Sequence, residues 1–299
     1  MMPERNRKLL PVKLISPALF LLLFFSNING FAQKMKAERG VAEVNGTRLA
    51  YEVKGKGTAI VLIHGGLADS RLWDDQFDAF AKHHRVLRYD LRGFGHSAPK
   101  LATFSHIEDL YALLKYLHIE KASLVGVSLG GMIAADFALE HPEMTNALVL
   151  TSSGLRGYQG PVNEKSVAAY RAAKEQGLEK AIELWLAHPF FASGRKNAAY
   201  ERRTRAMLMD NFQAWGPDST KIPWQWPGVP TIERLAEIKA PTLVVVGDHD
   251  AQTIQAIADI LKDKIPGAEK VVITDVGHHL NMEKPKEYNR IVLDFLRER

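Results

Sequence analysis

The residues best suited to bond-breaking chemistry are a serine, an aspartate and a histidine, in that order along the chain. Ser128 stands in Gly126-Val127-Ser128-Leu129-Gly130, a G-x-S-x-G pentapeptide. The pentapeptide alone is a weak signal, and its setting strengthens it. It follows the apolar run Ser123–Val127 and opens a helix-forming stretch, Gly130–Leu139. That strand–turn–helix context is the one in which such a serine acts as a nucleophile. The turn strains the serine backbone and brings the chain close to itself, so a Cβ at position 126 or 130 would clash. A serine hydroxyl is a poor nucleophile until a base takes its proton. His278, in Val276-Gly277-His278-His279, follows the last predicted strand and is the candidate base; His279 is its rival. The base needs an acid that fixes its tautomer and stabilises the imidazolium. Asp250, in Gly247-Asp248-His249-Asp250, is the candidate acid and Asp248 its rival. The stretch after the preceding strand, Thr151-Ser152-Ser153, offers no carboxylate.

Acyl transfer through a tetrahedral intermediate also needs donors for the oxyanion. The backbone N–H of Leu129 is one, at a helix start where the dipole assists. The second is expected from the loop His64-Gly65-Gly66-Leu67, with Gly66 N–H first and Leu67 N–H second. One such donor is typically worth about 3–4 kcal/mol of transition-state stabilisation. His64 itself reads as a brace for this loop.

The chain has no cysteine, which removes thiolate zinc sites, cysteine nucleophiles and disulfides. No metal-ligand cluster is legible. The glycines from Gly126 to Gly131 lack the G-x-G-x-x-G spacing of a dinucleotide site. The reading therefore calls for no metal and no cofactor.

The candidate residues must be carried to one place by the elements between them. Val41–Val44, Asn45-Gly46 and Thr47–Val53 read as a hairpin with a type I′ turn. Ala59–Ile63 is a continuous apolar run, as in a strand buried on both faces. A helix is expected over Ser70–Lys82, a strand over Arg85–Tyr89, a helix over Ile107–Leu117, and strands over Ser123–Val127 and Ala147–Leu150. From about Leu155 to Pro230 the pattern is helical, with no convincing buried strand. Alternation resumes with the strand Thr242–Val246, a helix over Thr253–Lys262, the strand Lys270–Thr274 and a helix from Pro285. Such alternation predicts an α/β fold: a mostly parallel sheet with helices on both faces, and a helical lid inserted after the sixth strand. Ser128, Asp250 and His278 then share one sheet edge.

Several motifs together resemble the α/β-hydrolase superfamily. His64-Gly65-Gly66 is similar to its oxyanion loop. Asp90-Leu91-Arg92-Gly93-Phe94-Gly95-His96-Ser97 is similar to its D-x-R-G-x-G-x-S turn. Gly247 to Asp250 is similar to its G-x-x-D acid loop, and Gly277-His278 with Glu283 and Pro285 to its G-H-x-x-x-x-E-x-P ending. The likeness runs in order from about Ala42 to the C-terminus and is weakest over Leu155–Pro230. It points to the branch holding 3-oxoadipate enol-lactonases, carboxylesterases and cofactor-free haloperoxidase or perhydrolase-type enzymes. The resemblance implies hydrolysis of a small-molecule ester or lactone, and a structural role for the Asp90–Ser97 turn. The same triad also supports C–C bond hydrolysis, amide hydrolysis and perhydrolysis. A non-catalytic ligand-binding protein on this fold is the alternative from another class. Branches with an aspartate nucleophile are disfavoured by the serine in the elbow.

The insertion is rich in aromatic residues: Trp185, Phe190, Phe191, Phe212, Trp215, Trp224 and Trp226. Some are expected to form its own core. Trp224 and Trp226, in a stiff loop bounded by Pro223 and Pro227, are expected with Leu67 to contact substrate at the pocket rim.

The first 32 residues read differently from the rest. Arg5, Arg7, Lys8 and Lys13 form a basic region, Leu14–Phe25 an apolar run too short to span a bilayer, and Gly30-Phe31-Ala32 a small-residue cleavage site. We read residues 1–32 as a signal peptide cut between Ala32 and Gln33, and residues 33–299 as one exported domain, periplasmic or secreted, with no stable membrane insertion after cleavage. Of the net charge of +5, about three charges lie in that segment. No concentrated basic patch remains, and nucleic-acid binding has no support.

Overall fold

The computed structural model describes residues 36–160, 164–191, 193–211, 224–297 and 299. The chain divides into Met1–Lys36 and Ala37–Arg299, and the architecture below is that of the second unit. The segment read as a signal peptide lies outside the described residues, as do Phe212 and Trp215.

Strand β1 (Glu38–Val44) turns into β2 (Thr47–Lys54). The turn residues Asn45 and Gly46 have φ of 46° and 66°, as a type I′ hairpin needs. There follow β3 (Ala59–Ile63), β4 (Arg85–Tyr89), β5 (Ala122–Val127), β6 (Thr145–Thr151), β7 (Thr242–Gly247) and β8 (Glu269–Ile273). They form one eight-stranded sheet in the order β1-β2-β4-β3-β5-β6-β7-β8. β2 pairs antiparallel with β1 and β4. Every other pairing is parallel.

The intervening helices are α1 (Asp74–Phe80), α2 (His106–Tyr116), α3 (Leu129–Glu140), α4 (Glu164–Glu175), α5 (Leu178–Leu186), α6 (Ala198–Asp210), α7 (Thr231–Arg234), α8 (Gln252–Lys264), α9 (Leu280–Glu283) and α10 (Pro285–Arg297). Side chains alternate across a strand, so β3 feeds two cores. Ile60 and Leu62 pack with Trp73 and Phe80 beside α1 and with Tyr288 and Val292 of α10. Val61 and Ile63 belong with Leu110 and Leu113 of α2, Ile133 of α3 and Leu261 of α8. Fully burying each such side chain contributes about 1.5–3 kcal/mol over leaving it exposed.

One expected element is corrected. The single helix expected over Ser70–Lys82 is a 3₁₀ turn, Ser70–Trp73, followed by the shorter α1. Asp69 is the cause: its carboxylate accepts from Arg71 N–H at 3.0 Å, while Leu72 N–H bonds its carbonyl at 3.0 Å. This tightens the first turn to the three-residue spacing.

Between β6 and β7 the described residues form α4, α5, α6, the short α7 and 3₁₀ turns, and no strand, apart from an isolated bridge between Phe104 and Trp224. Both ends of this insertion are fastened to α3. Arg156 donates to Asp136 at 3.0 and 3.2 Å and to the carbonyl of Val229 at 2.6 Å. Thr231 Oγ1 donates to the same Asp136 at 2.6 Å.

Candidate active site

The parallel strands bring the candidate residues to one sheet edge. In β3 and β5, Ile63 stands opposite Gly126, so the His64–Leu67 loop leaves its strand beside the one that delivers Ser128. In β7 and β8, Gly247 stands opposite Ile273, so the loops bearing Asp250 and His278 also leave side by side. Ligands of parallel α/β sheets bind at this carboxyl end of the strands.

Ser128 has φ 55° and ψ −112°, a strained conformation for a residue with a Cβ. The glycines around it are sterically required. A Cβ on Gly126 would meet the backbone of Gly130, and one on Gly130 the carbonyl of Ile63. The strained turn leaves Ser128 facing a cavity of about 440 Å³.

His278 faces the same cavity. Its Nδ1 lies 3.1 Å from each carboxylate oxygen of Asp250. The Asp250 side chain is fully buried, and Ala251 N–H donates to its Oδ1 at 2.8 Å. It is Asp250 that pairs with His278, and the two rivals stand in other contacts. Asp248 Oδ1 is buried with no partner among the described residues. His279 turns its Nδ1 to the Tyr200 hydroxyl at 3.4 Å, and no carboxylate touches it among the described residues. Burial, followed by His278 and Arg203, pushes the His279 pKa well below the ordinary imidazole value. Among the described residues no hydrogen bond joins Ser128 to His278; such contacts often tighten only once substrate is bound.

The support of His278 comes from the insertion, which sequence spacing did not reveal. Phe190 stacks on its imidazole with centroids 4.4 Å apart and planes at 21°. His278 N–H donates to the Phe190 carbonyl at 3.1 Å. Glu283 accepts from Gly277 N–H at 3.1 and 3.2 Å, which fixes the turn before His278, and burial raises the Glu283 pKa.

Gly66, Leu67 and Leu129 line the cavity, and their N–H groups bond no protein acceptor among the described residues. A Cβ on Gly65 would stand 3.4 Å from Ser128 Cβ, so this loop lies against the serine. Leu67 is held at φ 58°, which turns the loop sharply. His64 braces it: Leu91 N–H donates to Nε2 at 2.9 Å, which leaves the proton on Nδ1 to bond the Gly65 carbonyl at 2.7 Å. Burial lowers the His64 pKa and keeps this arrangement neutral. The Asp90–Ser97 turn is held in the same structural manner. Asp90 accepts from Ser70 and His96 N–H, both at 2.8 Å. Arg92 grips Asp109 with two bonds of 2.9 and 2.6 Å.

Trp224 and Trp226 line the cavity, stacked with centroids 6.0 Å apart. The structure adds Met132, Trp185, Phe190, Phe191 and His279 to the lining. Trp185, Phe190 and Phe191 are visible as aromatic residues in the sequence, but their convergence depends on how the insertion packs. Among the described residues no group of side chains is arranged to hold a metal ion.

The family model described as alpha/beta hydrolase fold matches residues 58–285. The 2-hydroxy-6-oxononadienedioate/2-hydroxy-6-oxononatrienedioate hydrolase of Burkholderia vietnamiensis is 32% identical over 273 residues, covering 85% of this chain and 93% of that protein. The enol-lactonase of Burkholderia xenovorans superposes with a TM-score of 0.75 at 28% identity, over 86% of this chain and 100% of that one. A thermophilic esterase from Thermogutta terrifontis superposes with a TM-score of 0.73 at 26% identity, over 88% and 99% of the two chains. With the sheet order, the strained serine turn and the span of these matches in agreement, the chain belongs to the α/β-hydrolase fold family.

Proposed function

We propose that this protein hydrolyses carboxylic esters or lactones of small, largely apolar molecules through an acyl-enzyme on Ser128. The observation that carries this reading is that Ser128 and His278 line one cavity, with Asp250 buried behind His278 and bonded to its Nδ1. Ser128 Oγ attacks the carbonyl carbon while its proton passes to His278 Nε2. The oxyanion is held by Leu129 and Gly66 N–H. The C–O bond breaks, and the leaving alkoxide takes the proton from His278. Water then gives a proton to His278, attacks the acyl carbon, and releases the acid and a restored Ser128. Leu67, Trp224 and Trp226 contact the acyl group. The lining is apolar apart from Ser128, His278 and His279 among the described residues, which suits an uncharged substrate.

C–C bond hydrolysis with the same triad is the second reading, favoured by the relative from Burkholderia vietnamiensis. One experiment separates them. The protein is offered short- and medium-chain p-nitrophenyl esters and, in parallel, 2-hydroxy-6-oxononadienedioate, with Ser128→Ala and a fluorophosphonate probe alongside. Ester turnover and labelling, both lost in Ser128→Ala, are expected. Faster turnover of the dienedioate would replace the ester reading. No labelling and no turnover would overturn both. We extend the proposal to export after cleavage between Ala32 and Gln33, which N-terminal sequencing of secreted protein tests; a start at Met1 would overturn it.

A further inference from the structure

His279 is the polar side chain of the cavity to which the proposed reaction gives no task. Its ring lies beside His278 with centroids 5.8 Å apart, and it lines the cavity with Ser128. Phe191 meets it edge-on at 5.1 Å, which sets the ring plane. Tyr200 is 3% exposed, and its hydroxyl lies 3.4 Å from His279 Nδ1, a contact in which the tautomer decides which atom donates; Thr204 is the other polar neighbour of the phenol. A buried phenol needs a home for its proton. Donation to Nδ1 leaves a neutral imidazole with its one proton on Nε2. Nε2 bonds no protein group among the described residues, yet it is not among the sealed, unpaired atoms. The ring that carries it lines the cavity. Burial and the nearby His278 and Arg203 oppose a second proton on the ring.

We propose that His279 Nε2–H is a fixed hydrogen-bond donor to the substrate. The site therefore selects esters or lactones carrying a second, uncharged acceptor oxygen close to the reacting carbonyl: a keto, ether or amide oxygen. This inference rests on the ester reading above. A site built around a donor favours a partner that accepts from it and rejects the analogue that leaves it unpaired.

Two p-nitrophenyl esters of equal chain length test it: methoxyacetate, with an ether oxygen in the acyl chain, and butyrate, with a methylene in its place. The readout is the ratio of their kcat/KM values, compared between variants so that intrinsic reactivity cancels. His279→Leu should lower the ratio about 3–10-fold, the worth of one neutral hydrogen bond. His279→Gln, which keeps an N–H near the Nε2 position, should restore most of it. Tyr200→Phe, which frees the tautomer, should lower it partway. An unchanged ratio in His279→Leu, or a ratio in His279→Gln as low as in His279→Leu, overturns the inference. A measurement on the native chain needs no variant to fold: nitrogen-15 NMR should find His279 neutral with its proton on Nε2, and a proton on Nδ1 overturns the inference. If Ser128 is labelled and butyrate is turned over while the ratio fails to move, the role of His279 alone is lost. If Ser128 is neither labelled nor active, the reaction itself is lost, and the inference with it.

Discussion

His278 presents Nδ1 equally to both oxygens of Asp250, at 3.1 Å each. A carboxylate so placed accepts the Nδ1 proton and leaves Nε2 unprotonated for a serine. Asp250→Asn keeps the shape and offers an N–H in place of an acceptor, which favours the wrong tautomer. We expect kcat for a p-nitrophenyl ester to fall about 10³–10⁴-fold. Asp248→Asn, on the same loop but without contact to His278, should keep most of the activity. Equal losses in the two variants would remove Asp250 from its assigned place.

Trp224 and Trp226 stack on each other while lining the cavity. Truncating either enlarges the cavity, and in the proposed reading it does so on the acyl side. Trp224→Ala and Trp226→Ala should each shift the preferred acyl chain to a longer one, read as kcat/KM across p-nitrophenyl esters from acetate to octanoate. An unchanged profile in both variants rejects contact with the acyl group.

The elbow has almost no room at Gly126 and ample room at the neighbouring Gly66. A Cβ on Gly126 would fall on the backbone of Gly130 and Gly131, whereas one on Gly66 meets nothing within 4 Å. Gly126→Ala should therefore cost about 1–3 kcal/mol or more in urea unfolding, as overpacking does. Gly66→Ala should stay within about 0.5 kcal/mol of the native protein. Equal stabilities would contradict the tight turn.

Asp136 joins both ends of the insertion to α3, and its side chain is 1% exposed beside an Arg156 that is 12% exposed. Removing its charge leaves the guanidinium without a counter-ion in a largely dry place. Asp136→Asn should destabilise the fold by about 3 kcal/mol and open residues 155–230 to limited proteolysis. Arg234, whose partners Glu140 and Glu237 are partly solvated, is the comparison. Arg234→Ala should cost about 1 kcal/mol or less.

Stability should fall in mild acid because of buried histidines. Burial lowers the pKa of His64 and pushes those of His106 and His279 well below the ordinary value. For each, the unfolded chain binds a proton that the native state refuses. The stability is fully present above about pH 6.5, the unfolded value, and is lost as pH falls from there toward the lower native value. Each such group costs up to about 1.4 kcal/mol per pH unit below that point. His106 isolates the effect, since both its ring nitrogens are buried without partners among the described residues and its ring packs edge-on against Phe104 and Trp224. His106→Phe should gain stability relative to the native protein as pH is lowered, measured by urea unfolding at several pH values. A gain that does not grow with falling pH would show that His106 is already charged in the folded state.

Backbone demands are local, and they were legible. Gly126 and Gly130 mark a turn that excludes Cβ atoms, Asn45-Gly46 a turn that needs positive φ, and Ala59–Ile63 a strand with no solvent face. Parallel strands then bring Ser128, Asp250 and His278 to one edge from distant parts of the chain. Less was legible where side chains decide. The Asp69 carboxylate shortens a helix whose apolar spacing runs on to Lys82. The packing of Phe190 on His278, and the convergence of Trp185 and Phe191 on the cavity, depend on how α4–α6 lie over the sheet edge, and hydrophobic periodicity carries no information on that.

The Phe190 contact has a practical consequence for exchanging parts between relatives. The turn that supplies the carbonyl for His278 N–H and the ring for its imidazole belongs to the insertion. A chimera that swaps the insertion wholesale removes a wall of the base as well as a wall of the cavity. A graft that leaves His188–Phe191 in place should be free to remodel the chamber while the imidazole keeps its seat.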